Sequence, residues 1–190
     1  VHRGWENYLD LVGPERVLLF GAADAPEVAG RTIGDLRDEW GTDLAGTLAR
    51  ILEITRGSSA IVLLELYDEA TIARIAAEPY GCFSTDGVHS SLPHPRLYGT
   101  YPYAFGRFVR GGQLSELEFV ERTSRRPAQI LGLRRSCAVA PGAEADLLVV
   151  DPERFDHRPD YLAPWAPVTG LRALVMGGRL VHADHAGPDH

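Results

Sequence analysis

Three side chains that could do chemistry follow one another closely in the middle of the sequence: Asp86, His94 and Arg96. They lie in TDGVHSSLPHPR, directly after the short apolar run GCFS. A carboxylate can bind a hard or borderline cation, or accept a proton from a metal-bound water. A planar guanidinium can hold a carboxylate through two parallel hydrogen bonds, and a histidine can act as a ligand or as a hydrogen-bond donor. This spacing indicates a candidate site for an acidic substrate.

Each of these residues also has an ordinary structural explanation. Asp86-Gly87 is a common turn sequence, and turn chemistry alone favours that interpretation. A solvated loop arginine and a surface histidine before a proline are likewise the more ordinary interpretations of Arg96 and His94. The residue types alone therefore leave the functional and the structural alternatives open.

Composition restricts the class of protein. The 190 residues carry a formal net charge of −7, which argues against a nucleic-acid or anionic-membrane surface, since either would need clustered Lys and Arg. No apolar run approaches the roughly 20 residues that span a bilayer. Cys82 and Cys137 lie far apart, so no disulfide framework or zinc ribbon is indicated, and we expect Cys82 to be a buried packing residue. A reducing cytoplasm is the default expectation.

The elements that must position these residues are strands and helices in alternation. The apolar runs VLLF, AIVLLEL and GCFS predict strands, and amphipathic segments capped by Thr32 and Thr42 predict helices between the first two. This alternation is typical of a parallel α/β sheet, in which ligands gather at the carboxyl ends of the strands. We expect Asp86 at such an end, with Gly87 allowing a sharp turn. Ser115 and Glu118 predict a capping box at a later helix.

The last part of the chain has a different pattern. ADLLVVD predicts one more strand, and LRALVMGGRLVHAD predicts a hairpin that turns at Gly177-Gly178. These antiparallel strands are too few to form a stable domain alone. His182, His185 and His190 lie at the hairpin end and in the tail, and we interpret them as solvated. The chain begins without Met and without the segments of a signal peptide, so we expect it to be a piece of a longer protein.

Five segments resemble one protein family in their order along the chain: STDG, HPRLYGTYPYAFGRFVR, SELEFVERTSRRPAQILGL, GAEADLLVVDPERF and VMGGRLV. That family is the N-acyl-D-amino-acid deacylases, or D-aminoacylases, of the amidohydrolase superfamily. The resemblance extends from Leu63 to Asp184, and the HPR-x-x-GT-x-P block is its specific part. Three departures are STDG in place of GSDG, a loop between Asp86 and Arg96 that is shorter by about one residue, and Ser136 in place of a glycine.

The resemblance implies an α/β fold: residues 1–136 as the last part of a (β/α)8 barrel, and residues 137–190 as strands and tail of a small β-sandwich domain. Asp86 would follow the eighth barrel strand, contribute to a zinc site and shuttle the proton of the attacking hydroxide. Arg96 would hold the substrate carboxylate, and His94 is assigned to the same substrate-binding group. The remaining zinc ligands of the family have no counterpart here, and we expect them upstream of Val1, since a catalytic zinc needs about three protein ligands.

The predicted function is zinc-dependent hydrolysis of the amide of an N-acyl-D-amino acid. A cyclic-amide hydrolase, such as a dihydroorotase or a hydantoinase, is an alternative that the HPR block argues against. A non-catalytic barrel remnant with a role in assembly is a second alternative. Because an incomplete barrel would leave an open strand edge, we also expect association between copies of the chain.

Overall fold

A computed structural model describes residues 7–89, 92–133 and 137–184 of the chain, in two compact units. The first unit takes in the described residues up to Glu69 together with His89, Leu92 and Pro93, and the second takes in Ala70–Val88 and the described residues from His94 onward. The departure at Ser136 and the histidines 185 and 190 lie outside the described residues. Within these residues, none of the helices has both the length and the apolar character needed to cross a membrane.

The first unit is a two-stranded sheet with helices. Its elements are α1 (Tyr8–Val12), a 3-10 turn (Pro14–Arg16), β1 (Val17–Gly21), a second 3-10 turn (Pro26–Val28), α2 (Ile33–Trp40), α3 (Leu44–Thr55) and β2 (Ala60–Leu63). β1 and β2 are antiparallel, with Val17 opposite Leu63 and Leu19 opposite Ile61. The parallel pairing predicted for these strands is therefore wrong. One helix between two strands makes them parallel, whereas the two successive helices α2 and α3 reverse the chain once more.

Local capping explains where the helices of this unit begin. Thr32 caps α2 as predicted, in a capping box with Asp35. The prediction of Thr42 as the cap of α3 is wrong, because the side chain of Asp43 accepts the Gly46 N–H at 2.7 Å. The buried core of the unit joins the sheet to both helices. Its members are Val17, Leu19, Ala22, Ala25, Val28, Ile33, Leu36 and Ile51.

The second unit combines helices with a three-stranded sheet. Its elements are α4 (Glu69–Ala77, whose first residue belongs to the first unit), α5 (Arg96–Ala104), a π-helical turn (Phe105–Val109), α6 (Glu116–Val120), a second π-helical turn (Glu121–Arg125), α7 (Arg126–Ile130), β3 (Leu147–Val150), β4 (Leu171–Met176) and β5 (Arg179–Ala183). β4 lies between β3 and β5 and is antiparallel to both, so the predicted strand and hairpin are confirmed. The capping box of Ser115 and Glu118 is also confirmed. The described part of the chain is thus α/β with two small antiparallel sheets.

Aromatic side chains form the core of this second unit. Phe83 packs on Phe108 and Phe119, with ring centroids 5.8 Å and 5.6 Å away. The strand predicted for GCFS is not formed among the described residues: the segment is extended, but the Phe83 N–H donates to the Arg122 carbonyl at 3.3 Å. Since alternate side chains of an extended segment face opposite sides, an inward Phe83 turns Cys82 outward. Cys82 is exposed, so the prediction of a buried cysteine is wrong.

Helix α5 packs closely on the segment that follows β3, through Gly99. The imidazole of His157 is buried, with neither ring nitrogen hydrogen-bonded in the described part of the chain. A Cβ atom at position 99 would lie 2.0 Å from His157 Nδ1, well inside van der Waals contact. The absence of a side chain at Gly99 is therefore what lets the helix backbone approach the imidazole.

We predict that Gly99→Ala destabilises the protein that carries this chain by about 2 kcal/mol or more, measured by urea denaturation. Helix propensity alone would favour alanine by about 1 kcal/mol, so the sign of the change separates the clash from propensity. His157→Ala is the control, because it removes the atoms that the new Cβ would meet. In that background Gly99→Ala should be neutral or stabilising, and an equal loss in both backgrounds would contradict the packing argument.

Candidate functional site

Asp86 lies in the left-handed region of backbone conformation, with a φ of 44°. Aspartate and asparagine enter this region more readily than most residues, because their short polar side chains bond locally. The sharp turn is therefore made by Asp86 itself, and the prediction that Gly87 makes it is wrong. Gly87 has a different role: a Cβ there would lie 2.6 Å from Leu97 Cδ1 and 2.9 Å from Leu97 Cα. Glycine lets the Asp86 segment lie against the first turn of α5.

Arg96 is the first residue of α5, and its guanidinium reaches back to Asp86. Arg96 Nη2 lies 2.8 Å from Asp86 Oδ2. The two side chains are 43% and 81% exposed, so solvent screens the pair and its contribution to stability is of the order of 0–1 kcal/mol. The structure thus brings together two of the three predicted site residues in an ion pair that costs little to exchange for another partner.

His94 contacts the backbone of Arg96. Its Nδ1 accepts the Arg96 N–H at 3.0 Å, and its carbonyl accepts the Leu97 N–H at 3.0 Å. An accepting Nδ1 requires a ring without a proton on that atom. Partial burial and the positive charge of Arg96 lower the pKa of His94, while Asp86 acts in the opposite direction. Both effects that lower the pKa favour the neutral ring that this hydrogen bond requires.

Tyr161 completes the surroundings of His94 and was not predicted from the sequence. Its ring stands edge-on to the imidazole, with centroids 5.1 Å apart and planes at 84°. Burial, together with Tyr103, raises the pKa of the Tyr161 phenol, and Arg96 lowers it. Tyr161 follows β3 in the Pro-rich connection, far from the HPR block in the sequence. No motif marks it, so only the folded chain reveals its place beside His94.

Two arginines hold the segment that leads to Asp86: Arg122, in the second π-helical turn, and Arg126, the first residue of α7. Arg122 is 4% exposed, and its guanidinium donates to the carbonyls of Ala76 and Ala77 at the end of α4. Arg126 donates to the carbonyls of Pro79 and Gly81. The final carbonyls of a helix have no partner within the helix, so Arg122 satisfies those of α4 and complements the helix dipole, while Arg126 holds the segment that follows. No motif in the sequence marks either arginine for this role.

The described residues supply one candidate metal ligand rather than a complete site. Asp86 is accessible and carries an oxygen donor that zinc accepts. Across residues 7–89, 92–133 and 137–184, no group of three or more His, Cys, Asp or Glu side chains is arranged to hold a metal ion. The predicted roles of Asp86, Arg96 and His94 in zinc and substrate binding stay predictions.

Comparison with known proteins shows what this chain is similar to. N-acyl-D-glutamate deacylase of Alcaligenes xylosoxydans xylosoxydans is 31% identical over 167 residues, which is 87% of this chain and 33% of that protein. The crystal structure of N-acyl-D-glutamate deacylase from Bordetella bronchiseptica, complexed with zinc and a phosphonate inhibitor, has a TM-score of 0.76 and 25% identity over 92% of this chain and 36% of that one.

A D-phenylhydantoinase of Escherichia coli O81 (strain ED1a) is 32% identical over 100 residues, but this covers only 47% of the chain and 22% of that protein. No family model matches the sequence. The chain spans about a third of the length of the deacylases that it resembles. The likeness to the deacylases covers nearly all of the chain, whereas that to the hydantoinase covers under half.

We predict that Arg122→Met lowers the free energy of unfolding by about 2–6 kcal/mol, because it leaves two carbonyls at the end of α4 without these donors, each costing about 1–3 kcal/mol. Urea denaturation of the protein that carries this chain measures the change. Arg125→Met is the matched control. Arg125 lies in the same π-helical turn but is 60% exposed and forms an ion pair of 3.6 Å with Glu121, so a change within about 0.5 kcal/mol is expected. Similar losses for both variants would contradict a special role for the Arg122 contacts.

Proposed function

We propose that this chain, a relative of the N-acyl-D-amino-acid deacylases, is part of a zinc-dependent amidohydrolase that releases a D-amino acid and a carboxylate from an N-acyl-D-amino acid. The observation that carries the proposal is the Arg96–Asp86 pair, at 2.8 Å on an accessible surface. It brings a group suited to proton transfer next to a group suited to holding a carboxylate, as the substrate requires. The deacylase likeness along most of the chain supports the same reaction.

The Arg96 guanidinium is suited to bind the substrate carboxylate. Its guanidinium presents parallel N–H donors that match the two oxygens of a carboxylate, and it already holds the Asp86 carboxylate in the structure. Substrate binding would replace one carboxylate by another of the same charge. Because the existing pair is exposed, this replacement costs little and frees the Asp86 oxygens.

Asp86 is then the residue that moves the proton. Its carboxylate would accept a proton from the attacking water and return it to the leaving amine, as general acid–base catalysis requires. The left-handed backbone at Asp86 fixes the direction in which this short side chain leaves the main chain. His94 is proposed to border the substrate as well. Its Nδ1 is occupied by the Arg96 N–H, so a substrate contact would use Nε2.

Within the described residues, the site supplies only part of the ligand set that a zinc ion needs. The Asp86 carboxylate is a suitable ligand, while the further ligands would have to come from elsewhere in the protein. When bound, zinc polarises the substrate carbonyl and makes a nucleophile available at neutral pH. The structure of the Bordetella relative is described as complexed with zinc, which supports the choice of metal.

The wider architecture is proposed on the same resemblance. Residues 1–136 would form the last part of a (β/α)8 barrel, with the extended segment before Asp86 as its eighth strand. Residues 137–190 would join a small β-sandwich. An extended segment without a strand partner in the described chain, ending in an accessible carboxylate, suits such a strand. A cytoplasmic location and an assembly of several copies are proposed along with this architecture.

The alternatives predict different substrates. A hydantoinase would open a hydantoin, which lacks the free carboxylate that Arg96 is suited to bind, and a dihydroorotase would open the ring amide of dihydroorotate, whose carboxylate is carried by the ring. A non-catalytic remnant would hydrolyse neither class. We expect the protein that carries this chain, loaded with zinc, to hydrolyse N-acetyl-D-glutamate and to leave hydantoins and dihydroorotate intact. Turnover of hydantoins alone, or of neither class, would overturn the proposal.

We predict that Asp86→Asn lowers kcat about 10²- to 10⁴-fold, because the amide cannot accept the proton. Asparagine is the informative replacement, since it keeps the shape of aspartate and tolerates the left-handed backbone. Urea denaturation is the control, and the free energy of unfolding should stay within about 1 kcal/mol of the parent. A variant that retains more than half of the parent kcat would end the assignment.

A second prediction concerns Arg96→Lys, which keeps the charge but loses the fork of parallel donors. We expect kcat/KM for N-acetyl-D-glutamate to fall about tenfold or more, with a much smaller loss for its α-amide, which lacks the α-carboxylate. Steady-state kinetics on the two compounds measures the difference. Equal losses on both would show that Arg96 does not read the carboxylate.

A further inference from the structure

The first turn of α5 lacks the side-chain cap that helices usually carry. The residue before Arg96 is Pro95, whose ring offers no hydrogen-bond acceptor. The first N–H groups of a helix have no partner within it, and uncapped ones weaken the helix start. Here the Arg96 N–H donates to His94 Nδ1 at 3.0 Å, so the imidazole supplies the acceptor that the cap position cannot.

The ring of His94 is itself held in place from the other side. Tyr161 stands edge-on to it at a centroid distance of 5.1 Å, a favourable arrangement for two aromatic rings. The side chain carrying the acceptor is therefore fixed by a segment that follows β3, and the helix start is fixed by that acceptor. Arg96, the residue so anchored, extends its guanidinium to the Asp86 carboxylate at 2.8 Å.

From this geometry we propose that His94 is a positioning residue for Arg96: its Nδ1 anchors the backbone from which the guanidinium reaches the substrate carboxylate. This goes beyond a substrate contact for His94 and rests on the proposed role of Arg96 in reading that carboxylate. The imidazole acts through the Arg96 backbone, so its loss should affect acidic substrates more than neutral ones. Any group that accepts the same N–H should replace it.

Two substitutions at position 94 distinguish the loss of the hydrogen-bond acceptor from the loss of the aromatic ring. His94→Phe keeps an aromatic ring against Tyr161 and removes the acceptor. His94→Asn removes the ring and keeps an acceptor, because an asparagine oxygen readily accepts the N–H two residues further on. The protein that carries this chain, loaded with zinc, is assayed with N-acetyl-D-glutamate and its α-amide, and amide hydrogen exchange at Arg96 is followed by NMR.

We expect His94→Phe to raise KM for N-acetyl-D-glutamate about 3- to 30-fold, the range that corresponds to losing a helix cap, and to raise KM for the α-amide by a clearly smaller factor. The Arg96 amide should exchange about 3- to 30-fold faster. His94→Asn should restore the exchange rate to within about twofold and remove the difference between the acid and the α-amide. The amide exchange needs no activity and reports on the helix start directly.

Opposite results would overturn the inference. A normal His94→Phe variant, or an Asn variant as impaired as Phe, would show that the acceptor is not what matters. Arg96→Lys in the same assays separates the proposed contact of Arg96 with the substrate carboxylate from the positioning role of His94. If Arg96→Lys discriminates acid from amide while His94→Phe does not, only the positioning role fails. If Arg96→Lys shows no discrimination, the proposed reading of the carboxylate fails and the positioning role fails with it.

Discussion

The arrangement of the second unit depends on one buried cation, the guanidinium of Arg122. A charge that leaves water must find polar partners, and those of Arg122 are the carbonyls of Ala76 and Ala77, which end α4 and have no donors within the helix. The same arginine accepts the Phe83 N–H through its own carbonyl. One residue therefore satisfies the last carbonyls of α4, anchors the segment beyond it and holds the backbone at Phe83, whose ring packs in the aromatic core. The position of Asp86, three residues further along, follows from this anchoring.

Helix α5 is the second support of the candidate site. Gly87 lies against Leu97 on the side of the Asp86 segment, and Gly99 lies against His157 on the side of the segment after β3. At both positions the absence of a side chain brings another part of the chain against the helix. The site is thus assembled from the Asp86 segment, the neighbouring helix α5 and one stretch after β3 that is distant in sequence, and its reactive groups lie on short, closely packed contacts. This explains why exposed groups such as Asp86 and Arg96 can still hold a defined geometry.

The sequence was informative where the determinants are local. The helix cap at Thr32, the capping box at Ser115 and the hairpin at Gly177-Gly178 are set by residues within a few positions, and these were predicted correctly. The short spacing of Asp86 and Arg96 in the sequence also indicated that these two residues lie close together. The sequence did not predict the features that depend on tertiary contacts.

Strand direction in the first unit depends on a two-helix connection, and the place of Tyr161 beside His94 depends on folding across many residues. The left-handed backbone falls on Asp86, while the neighbouring Gly87 allows close packing against Leu97.

The contact between Gly99 and His157 also constrains how the chain can be recombined with its relatives. The two positions lie on opposite sides of the α6–α7 region in sequence, so a crossover between them would join a helix from one parent to a packing partner from another. A parent with a side chain at the position of Gly99 must have a different residue or a different path at the position of His157. Productive chimeras with deacylases of about 30% identity should therefore inherit both positions from the same parent. The contact thus links two separate segments, one carrying Arg96 and the other Tyr161, which should be exchanged together.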